Sequence, residues 1–213
     1  MNKTYILAGL LICACIFFIY TFSDDGKSSL SKPSSLSTVE NLTIATTEET
    51  MSMFTLSFSL YVPDKKPDNT IDIVDLFGGN FNVKFDQVNG LVIEIHNTRV
   101  ATYQIPKHRW TPIAITFNSG VLEIYVDGHL AKTTKTATNS VSTSTNPNMN
   151  IGDTNAQNHY ISNIGFYDKV LSTEELAKLS KDFHNKYNST IKPNYGANVI
   201  LRKDGEEISK LSI

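Results

Sequence analysis

Cysteine is almost absent from this sequence. The 213 residues contain only Cys13 and Cys15, and both lie in an apolar block close to the N-terminus. The rest of the chain therefore has no disulfide framework, no thiolate metal site and no cysteine nucleophile. A domain without these must be held together by its hydrophobic core, which roughly 160 residues are enough to build.

Charge of either sign is also scarce. Charged residues make up 19% of the chain, and they nearly cancel to a formal net charge of -2. Nucleic acid is therefore excluded as a partner, because binding it requires a basic patch or field. Asn, Ser and Thr are abundant instead, which is typical of an all-β or extracytoplasmic surface rather than of a charged helical bundle.

One long apolar run, residues 5–22, lies at the N-terminus. At about 1.5 Å rise per residue, a helix of this length nearly crosses a hydrocarbon core of roughly 30 Å. A signal peptide would need a small-residue cleavage site, and residues 19–21 offer none. The run predicts a transmembrane anchor over residues 1–22, with a lipoprotein signal at residues 12–15 as the alternative. Basic residues flank the run almost evenly, which leaves the membrane orientation open.

Composition divides the rest of the chain into three parts. Residues 23–38 are rich in Ser and lack an apolar period, which predicts a flexible linker between membrane and domain. Residues 39–187 carry the alternation of β-strands and form the predicted domain. Residues 188–213 are a tail, in which the sequence indicates a hairpin around Asp204 and Gly205.

Apolar and polar residues alternate throughout the predicted domain, with the period of half-buried strands. Turn sequences such as Asn89-Gly90 and Asp127-Gly128 separate the strands. Many short strands at this spacing predict an all-β fold, an antiparallel jelly-roll β-sandwich. The strand candidates are residues 54–62, 71–77, 81–86, 91–96, 100–105, 110–117, 121–126, 129–134, 149–152 and 160–167.

A single well-marked helix follows the strands. Ser172 and Glu175 form a capping box, in which the Ser172 hydroxyl accepts from the amide of residue 175 and Glu175 bonds back. Leu176 and Phe183 then fall on one face of the helix. The pattern predicts one short C-terminal helix that ends near Tyr187.

Several segments of the domain resemble a known family. Residues 110–128, WTPIAITFNSGVLEIYVDG, are similar to the central hairpin of laminin-G-like domains, where a Trp begins one strand and Tyr-Val-Asp-Gly ends the next. Residues 149–152 and 161–167 are similar to the closing strands, and residues 171–176 to the start of the helix. Residues 40–185 thus resemble a laminin-G-like domain of the concanavalin A-like lectin/glucanase superfamily. The resemblance implies a concanavalin A-like sandwich.

The resemblance also implies what an active site would look like. Glycosidases of this superfamily place two Glu and one Asp at alternate positions of one strand, as paired-carboxylate chemistry requires. No Glu-x-Asp-x-Glu motif occurs here, and Glu94 and Glu123 stand alone on their strands. The histidines lack metal-ligand spacing. We therefore expect no enzymatic activity, with a degenerate glycanase as the weakest alternative. Trp110 is expected in the core rather than as a platform for sugar.

Function in β-sandwiches tends to lie on the rim loops. Two such loops supply the candidate ligand-binding residues, which are Asn80, Phe81, Asp153, Asn155, Asn158 and Tyr160. Calcium is the one cofactor that the sequence suggests, with Asp153 as the metal ligand and Asn155 and Asn158 as further oxygen donors. An ordinary polar loop without a cofactor is the competing interpretation. The family's Gly and acidic residue before the last strand are replaced by His159 and Ser162, so no family ligand position is carried over.

Together these features predict a single-pass membrane protein whose C-terminal domain lies outside the cytoplasm or within a virion. The expected role is non-catalytic recognition of a glycan or protein surface next to the membrane that residues 5–22 contact. The alternative is a structural component of an assembly, such as a membrane-tethered minor capsid-type protein of a large DNA virus. In that case the tail, residues 191–213, is expected to contact a protein partner.

Overall fold

The computed structural model describes residues 29–30, 33–38, 40–44, 49–63, 70–143, 148–156, 158–187, 198–203 and 206–212. The predicted anchor, residues 1–22, and the predicted turn at Asp204 and Gly205 lie outside them. Within the described ranges, no helix combines the length and apolar character that crossing a membrane requires.

Two antiparallel sheets contain most of the strands. The first sheet has seven strands, in the order β1 (Ser29–Leu30), β15 (Tyr160–Tyr167), β5 (Met53–Tyr61), β10 (Trp110–Asn118), β11 (Val121–Val126) and β12 (His129–Lys135), while β2 (Ser34–Ser35) also pairs with β15. The second has six, in the order β3 (Glu40–Thr43), β14 (Asn148–Ile151), β6 (Ile71–Leu76), β7 (Phe81–Asp86), β8 (Gly90–Ile95) and β9 (Thr98–Tyr103).

Two short strand pairs lie outside these sheets. β4 (Thr50–Met51), which precedes β5, pairs with β13 (Val141–Ser142), which follows β12. β16 (Asn198–Lys203) pairs with β17 (Glu206–Ser212) in the tail, where the sequence indicates a hairpin.

The core lies between the inward faces of the two sheets, and strand alternation selects its residues. Along β5, the even-numbered residues from Phe54 to Leu60 are apolar and buried in the same cluster as residues of both sheets. Phe54 lies at the centre. Its ring contacts, at centroid distances of 6.2, 5.1, 5.5 and 5.8 Å, are with Phe77, Phe81, Phe117 and Phe166.

Helix α1 (Thr173–Tyr187) packs on the outer face of the first sheet, where Leu176 contacts Ala114 and Tyr125. The predicted capping box is confirmed: the Glu175 amide donates to Ser172 Oγ at 3.2 Å, and the Ser172 amide donates to Glu175 Oε2 at 2.6 Å. The hydrogen bonds from Ser172 lower the pKa of the Glu175 carboxyl. The sandwich and the C-terminal helix are therefore as the sequence predicts.

The second half of the predicted linker, residues 23–38, differs from expectation. β1 and β2 pair with β15, and Leu36 is fully buried in the core. The backbone of Leu36 crosses so close to Gly152 that a Cβ there would lie 2.5 Å from the Leu36 carbonyl oxygen. Burial of Leu36 and pairing of the otherwise open edge of β15 both favour this arrangement. The sheet thus begins inside the segment that composition marks as a linker.

Candidate functional site

Three aromatic residues lie side by side on the outer face of the first sheet. The odd-numbered residues of β5 point away from the core, and Tyr61 is the last of them. Strand pairing sets Trp110 of β10 and Tyr160 of β15 directly beside Tyr61. Because directly paired residues share a face, three strands present their rings together. Tyr160, Tyr61 and Trp110 form what we name the aromatic row.

The rings of the aromatic row are in contact but are not parallel. The centroid distances are 6.2 Å from Tyr61 to Tyr160 and 5.8 Å from Tyr61 to Trp110, with interplanar angles of 65° and 54°. Tyr160 is 40% exposed, and the other two rings are half-buried. The row therefore offers ring faces of different tilt to a molecule that lies along the sheet.

The last turns of α1 fix one end of the row. Phe183 is buried, and its ring centroid lies 6.0 Å from that of Trp110. The ring of His184 follows at 5.9 Å from Phe183. Trp110 is therefore in ring contact with both Phe183 of α1 and Tyr61 of β5, and these contacts limit the rotation of its indole.

A charged cluster lies next to the Trp110 end of the row. The Asp127 carboxylate accepts from Arg109 Nη2 at 2.5 Å, and its other oxygen lies 3.3 Å from His184 Nε2. Asp127 sits at the turn between β11 and β12 with a φ of 52°, and its amide donates to the Pro112 carbonyl at 2.9 Å. The turn geometry therefore places an ionic group beside the strand that carries Trp110.

Hydroxyl groups lie next to the opposite end of the row. Ser35 of β2 is the cross-strand partner of Tyr160. Its Oγ lies 2.7 Å from the Oγ of Ser37. An aromatic surface with polar groups at both ends can pack against the C–H face of a sugar ring while hydrogen bonds orient the sugar hydroxyls.

The structure separates the two predicted loops. Asn80 follows β6, where its Nδ2 donates to the carbonyls of Phe77 and Ser142 at 3.0 Å each. Asp153 lies beyond the opposite end of β14, and the Asp72 amide donates to its Oδ2 at 3.3 Å. Because the two loops lie at opposite ends of β14, their residues do not form one site.

Phe81 is a correction to the sequence-based prediction. It was expected on the surface as a ligand-binding residue, but its side chain is fully buried and its ring contacts Phe54. Phe81 has the inward parity of β7, which it shares with Val83 and Phe85, so strand alternation directs it into the core.

The predicted calcium loop is held by its own hydrogen bonds. Asp153 Oδ1 accepts from the amide and the Nδ2 of Asn155, at 2.8 and 3.0 Å. Asn158, with a φ of 63°, and Asn155 are both exposed. Across the residues that the structure describes, no three His, Cys, Asp or Glu side chains are grouped so that they could hold a metal ion.

Tyr160 is the one predicted ligand-binding residue that lies in the aromatic row. Trp110 was expected in the core, but it has the outward parity of Pro112 and Ala114, whereas its neighbour Thr111 points inward. The sequence reasoning placed Tyr61 in a strand and Phe183 in the helix, but it did not mark either as a residue of the site. A signal for Tyr61 was present, because it continues the outward parity of Ser57 and Ser59.

Glu94 and Glu123, which stand alone on their strands, lie on opposite outer faces of the sandwich. Glu123 of β11 accepts from Tyr125 Oη at 2.9 Å, and burial together with this bond raises the pKa of Tyr125 to about 12. Glu94 of β8 pairs with Lys84 Nζ at 3.0 Å. Packed sheets are about 10 Å apart before side chains are added. Both carboxylates therefore cannot flank one glycosidic bond, which needs a separation of about 5–9.5 Å.

The family model for the concanavalin A-like lectin/glucanase superfamily, of the laminin G type, matches residues 36–177. The chain belongs to this superfamily. The match begins at Leu36, which is buried in the core, and ends inside α1. It confirms the lectin-like sandwich that the sequence resemblance implied. No curated protein matches the chain significantly.

Solved structures with a similar fold include botulinum neurotoxin domains. The serotype D ligand-binding domain in complex with N-acetylneuraminic acid has a TM-score of 0.58 and 14% identity over 85% of this chain and 45% of that one. The serotype G binding domain has a TM-score of 0.58 and 13% identity, covering 86% and 52% of the two chains. This chain spans about half the length of these structures. At such identities the likeness shows the fold alone.

Proposed function

We propose that this chain is a membrane-anchored, non-catalytic recognition module that binds a glycan on the aromatic row. The main support for this proposal is the row itself, in which three strands distant in sequence place Tyr160, Tyr61 and Trp110 on one outer face. The charged cluster at Asp127 and the hydroxyls of Ser35 and Ser37 supply polar groups at its two ends.

Two further points support a sugar as the ligand. The lectin-like fold is one on which sugar binding recurs, and one structural neighbour was solved with N-acetylneuraminic acid bound. Aromatic rings that are only partly buried in a monomer retain apolar surface that a ligand can cover. A non-catalytic role fits the separation of Glu94 and Glu123 on opposite faces, with each carboxylate engaged by a neighbouring side chain.

Residues 5–22 are proposed to hold the module in a membrane, as their apolar length suggests. Only residues 23–28 separate this run from β1. A fully extended segment of that length spans at most about 20 Å. The sandwich is therefore proposed to stay near the bilayer, on its extracytoplasmic side, where it meets glycans of a cell or particle surface.

The test is binding of the full-length chain, purified in detergent, to a glycan array. Wild-type protein should bind a defined subset of glycans, and Tyr160→Ala should weaken that binding at least about tenfold because an exposed stacking surface is lost. Tyr160 is 40% exposed, so this change should leave the fold intact.

Met53→Ala is the matched control, because Met53 lies on β5 with the same outward parity as Tyr61, at the other end of the strand, and is 49% exposed. It should bind as wild type does. A folded wild-type chain that binds no glycan, or equal binding by wild type and Tyr160→Ala, would contradict the proposal.

A further inference from the structure

A groove lies where the two sheets end, beside the charged cluster of Arg109 and Asp127. β12 is the last strand of the first sheet and β9 is the last of the second, within the part of the chain that the structure describes. Between them is an open groove of about 530 Å³, which residues 103–106, 126–127 and 129–131 line together with Arg109. No member of the aromatic row lines it.

Two edge strands border this groove. A strand at the edge of a sheet presents every second backbone N–H and C=O outward, and these groups can pair with an added strand. The β11–β12 pairing also shifts register between Ile124 and Tyr125. Lys132 Nζ donates to the Thr102 carbonyl at 2.9 Å and joins β12 to β9 at one point. Among the residues that the structure describes, no strand pairs with β12 on the side away from β11.

Side chains of the groove provide an apolar surface with charge beside it. Leu130 is 54% exposed, although it is a large apolar residue. Val126 and Ile105 belong to or pack against the hydrophobic core and form apolar parts of the lining. Arg109 and His129 lie among the lining residues, and both are exposed. Such a groove suits a chain whose side chains alternate between apolar and charged.

Apart from the turn at Asp127, the two segments that border the groove carry charge of one sign. Residues 98–109 and 129–135, which include β9 and β12, contain no Asp or Glu, in a chain whose net charge is -2. Arg99 lies on the outer face of the second sheet and pairs with Asp86 at 3.8 Å. The other basic residues of these segments are Lys107, Arg109, Lys132 and Lys135. Asp127, the acidic residue of the lining, pairs with Arg109. A basic edge strand repels basic or identical edges and attracts acidic ones.

From these observations we propose that the groove between β9 and β12 binds an extended acidic segment of a partner protein, which adds to β12 as a further strand. Backbone hydrogen bonds of β12 provide affinity, Leu130 takes an apolar side chain, and the basic residues select acidic ones. A sugar chain cannot use the regularly spaced backbone groups of an edge strand, which is why a peptide is the better fit. The site contains no ring of the aromatic row, but it shares Arg109 and Asp127 with the charged cluster beside that row.

The test uses fluorescence anisotropy of the full-length chain with a labelled peptide that alternates Glu and Val. This peptide should bind saturably, and the corresponding Lys and Val peptide should bind at least about tenfold more weakly because its charge is repelled. N-methylation of the Glu and Val peptide should also abolish binding, since it removes the backbone donors that strand addition requires.

Leu130→Glu places a negative charge in the groove and should weaken binding of the acidic peptide by about tenfold or more. Val121→Glu is the matched control, because Val121 is 37% exposed and lies at the opposite end of β11. It should bind within about twofold of wild type. Absence of saturable binding, equal binding of the Lys peptide or the N-methylated peptide, or equal loss in both variants would overturn the proposal. Neither readout depends on glycan binding.

Discussion

The two outer faces of the sandwich differ far more than the two inner ones. Both inner faces are apolar and merge in one core. The outer face of the first sheet carries α1 and the aromatic row. The outer face of the second carries a polar strip that crosses neighbouring strands in register. The members of this strip are Asn41, Asn150, Asp75, Asn82, Glu94 and Arg99.

Hydrogen bonds within the polar strip show how its groups are used. Asp75 Oδ2 accepts from Asn150 Nδ2 at 3.3 Å, and its Oδ1 accepts from the Gly79 amide at 2.6 Å. Glu94 pairs with Lys84 at 3.0 Å. The polar strip thus supports its own sheet, whereas the aromatic row leaves apolar ring surface partly open. The comparison assigns recognition to the first sheet and structural support to the second.

The largest effect is expected from Trp110→Ala on the first sheet. It removes the ring that joins Tyr61 to Phe183, and it should lower the free energy of unfolding by about 2–3 kcal/mol, less than for a fully buried Trp. Urea denaturation measures this. Met53→Ala on the same face should change stability by no more than about 0.5 kcal/mol. If both variants cost the same, the row has no structural link with α1.

An intermediate effect is expected at Asp86, on the second sheet. Its Oδ1 accepts from the amides of Val88 and Asn89 at 2.7 Å each. Although burial opposes the shift, these bonds and the Asn89 side chain lower the pKa of Asp86 below 3.8. Asp86→Ala should lower the free energy of unfolding by about 1–2 kcal/mol at neutral pH.

The pH dependence of that effect has a definite sign. A carboxyl whose pKa is lower in the folded state stabilises the protein above its unfolded pKa, and this stabilisation is lost as pH falls through the folded value. The gap between wild type and Asp86→Ala should therefore narrow as pH falls below 3.8. A gap that stays constant in urea titrations across this range would show that the carboxylate charge is not involved.

The smallest effect is expected at Glu94. Burial alone would lower the pKa of Lys84. The hydrogen bond and the charge of Glu94, together with the charge of Asp72, raise this pKa instead. Glu94→Gln keeps the shape and removes the charge, so it should cost about 0.5–1 kcal/mol at low salt and less at high salt. Glycan binding should be unchanged. Loss of glycan binding in this variant would place recognition on the second sheet and would contradict the assignment of recognition to the first.

Much of the fold follows from the sequence because alternation is a local signal. Residues 81–86, 121–126 and 160–167 were predicted as strands with the bounds that the structure gives. β1 and β2 were missed since their residues are mostly serine, and only pairing with β15 makes them strands. Composition alone cannot reveal that a polar segment completes a sheet edge.

The site was only partly predictable. The parity of Trp110 with Pro112 and Ala114 was visible in the sequence, yet a lone Trp at the start of a strand was taken for a core residue. That Tyr61, Trp110 and Tyr160 lie in one row depends on the register of three strands far apart in the chain. Register between distant strands is set by the packed core, and no local pattern encodes it.

Fluorescence of Trp110 during glycan titration tests the central claim most directly, because it is the only tryptophan of the chain and a member of the aromatic row. Binding on the row should shift or quench its emission saturably, and Tyr160→Ala should raise the dissociation constant at least about tenfold. Saturable glycan binding by calorimetry without any change in Trp110 emission, and with equal affinity in Tyr160→Ala, would contradict the account.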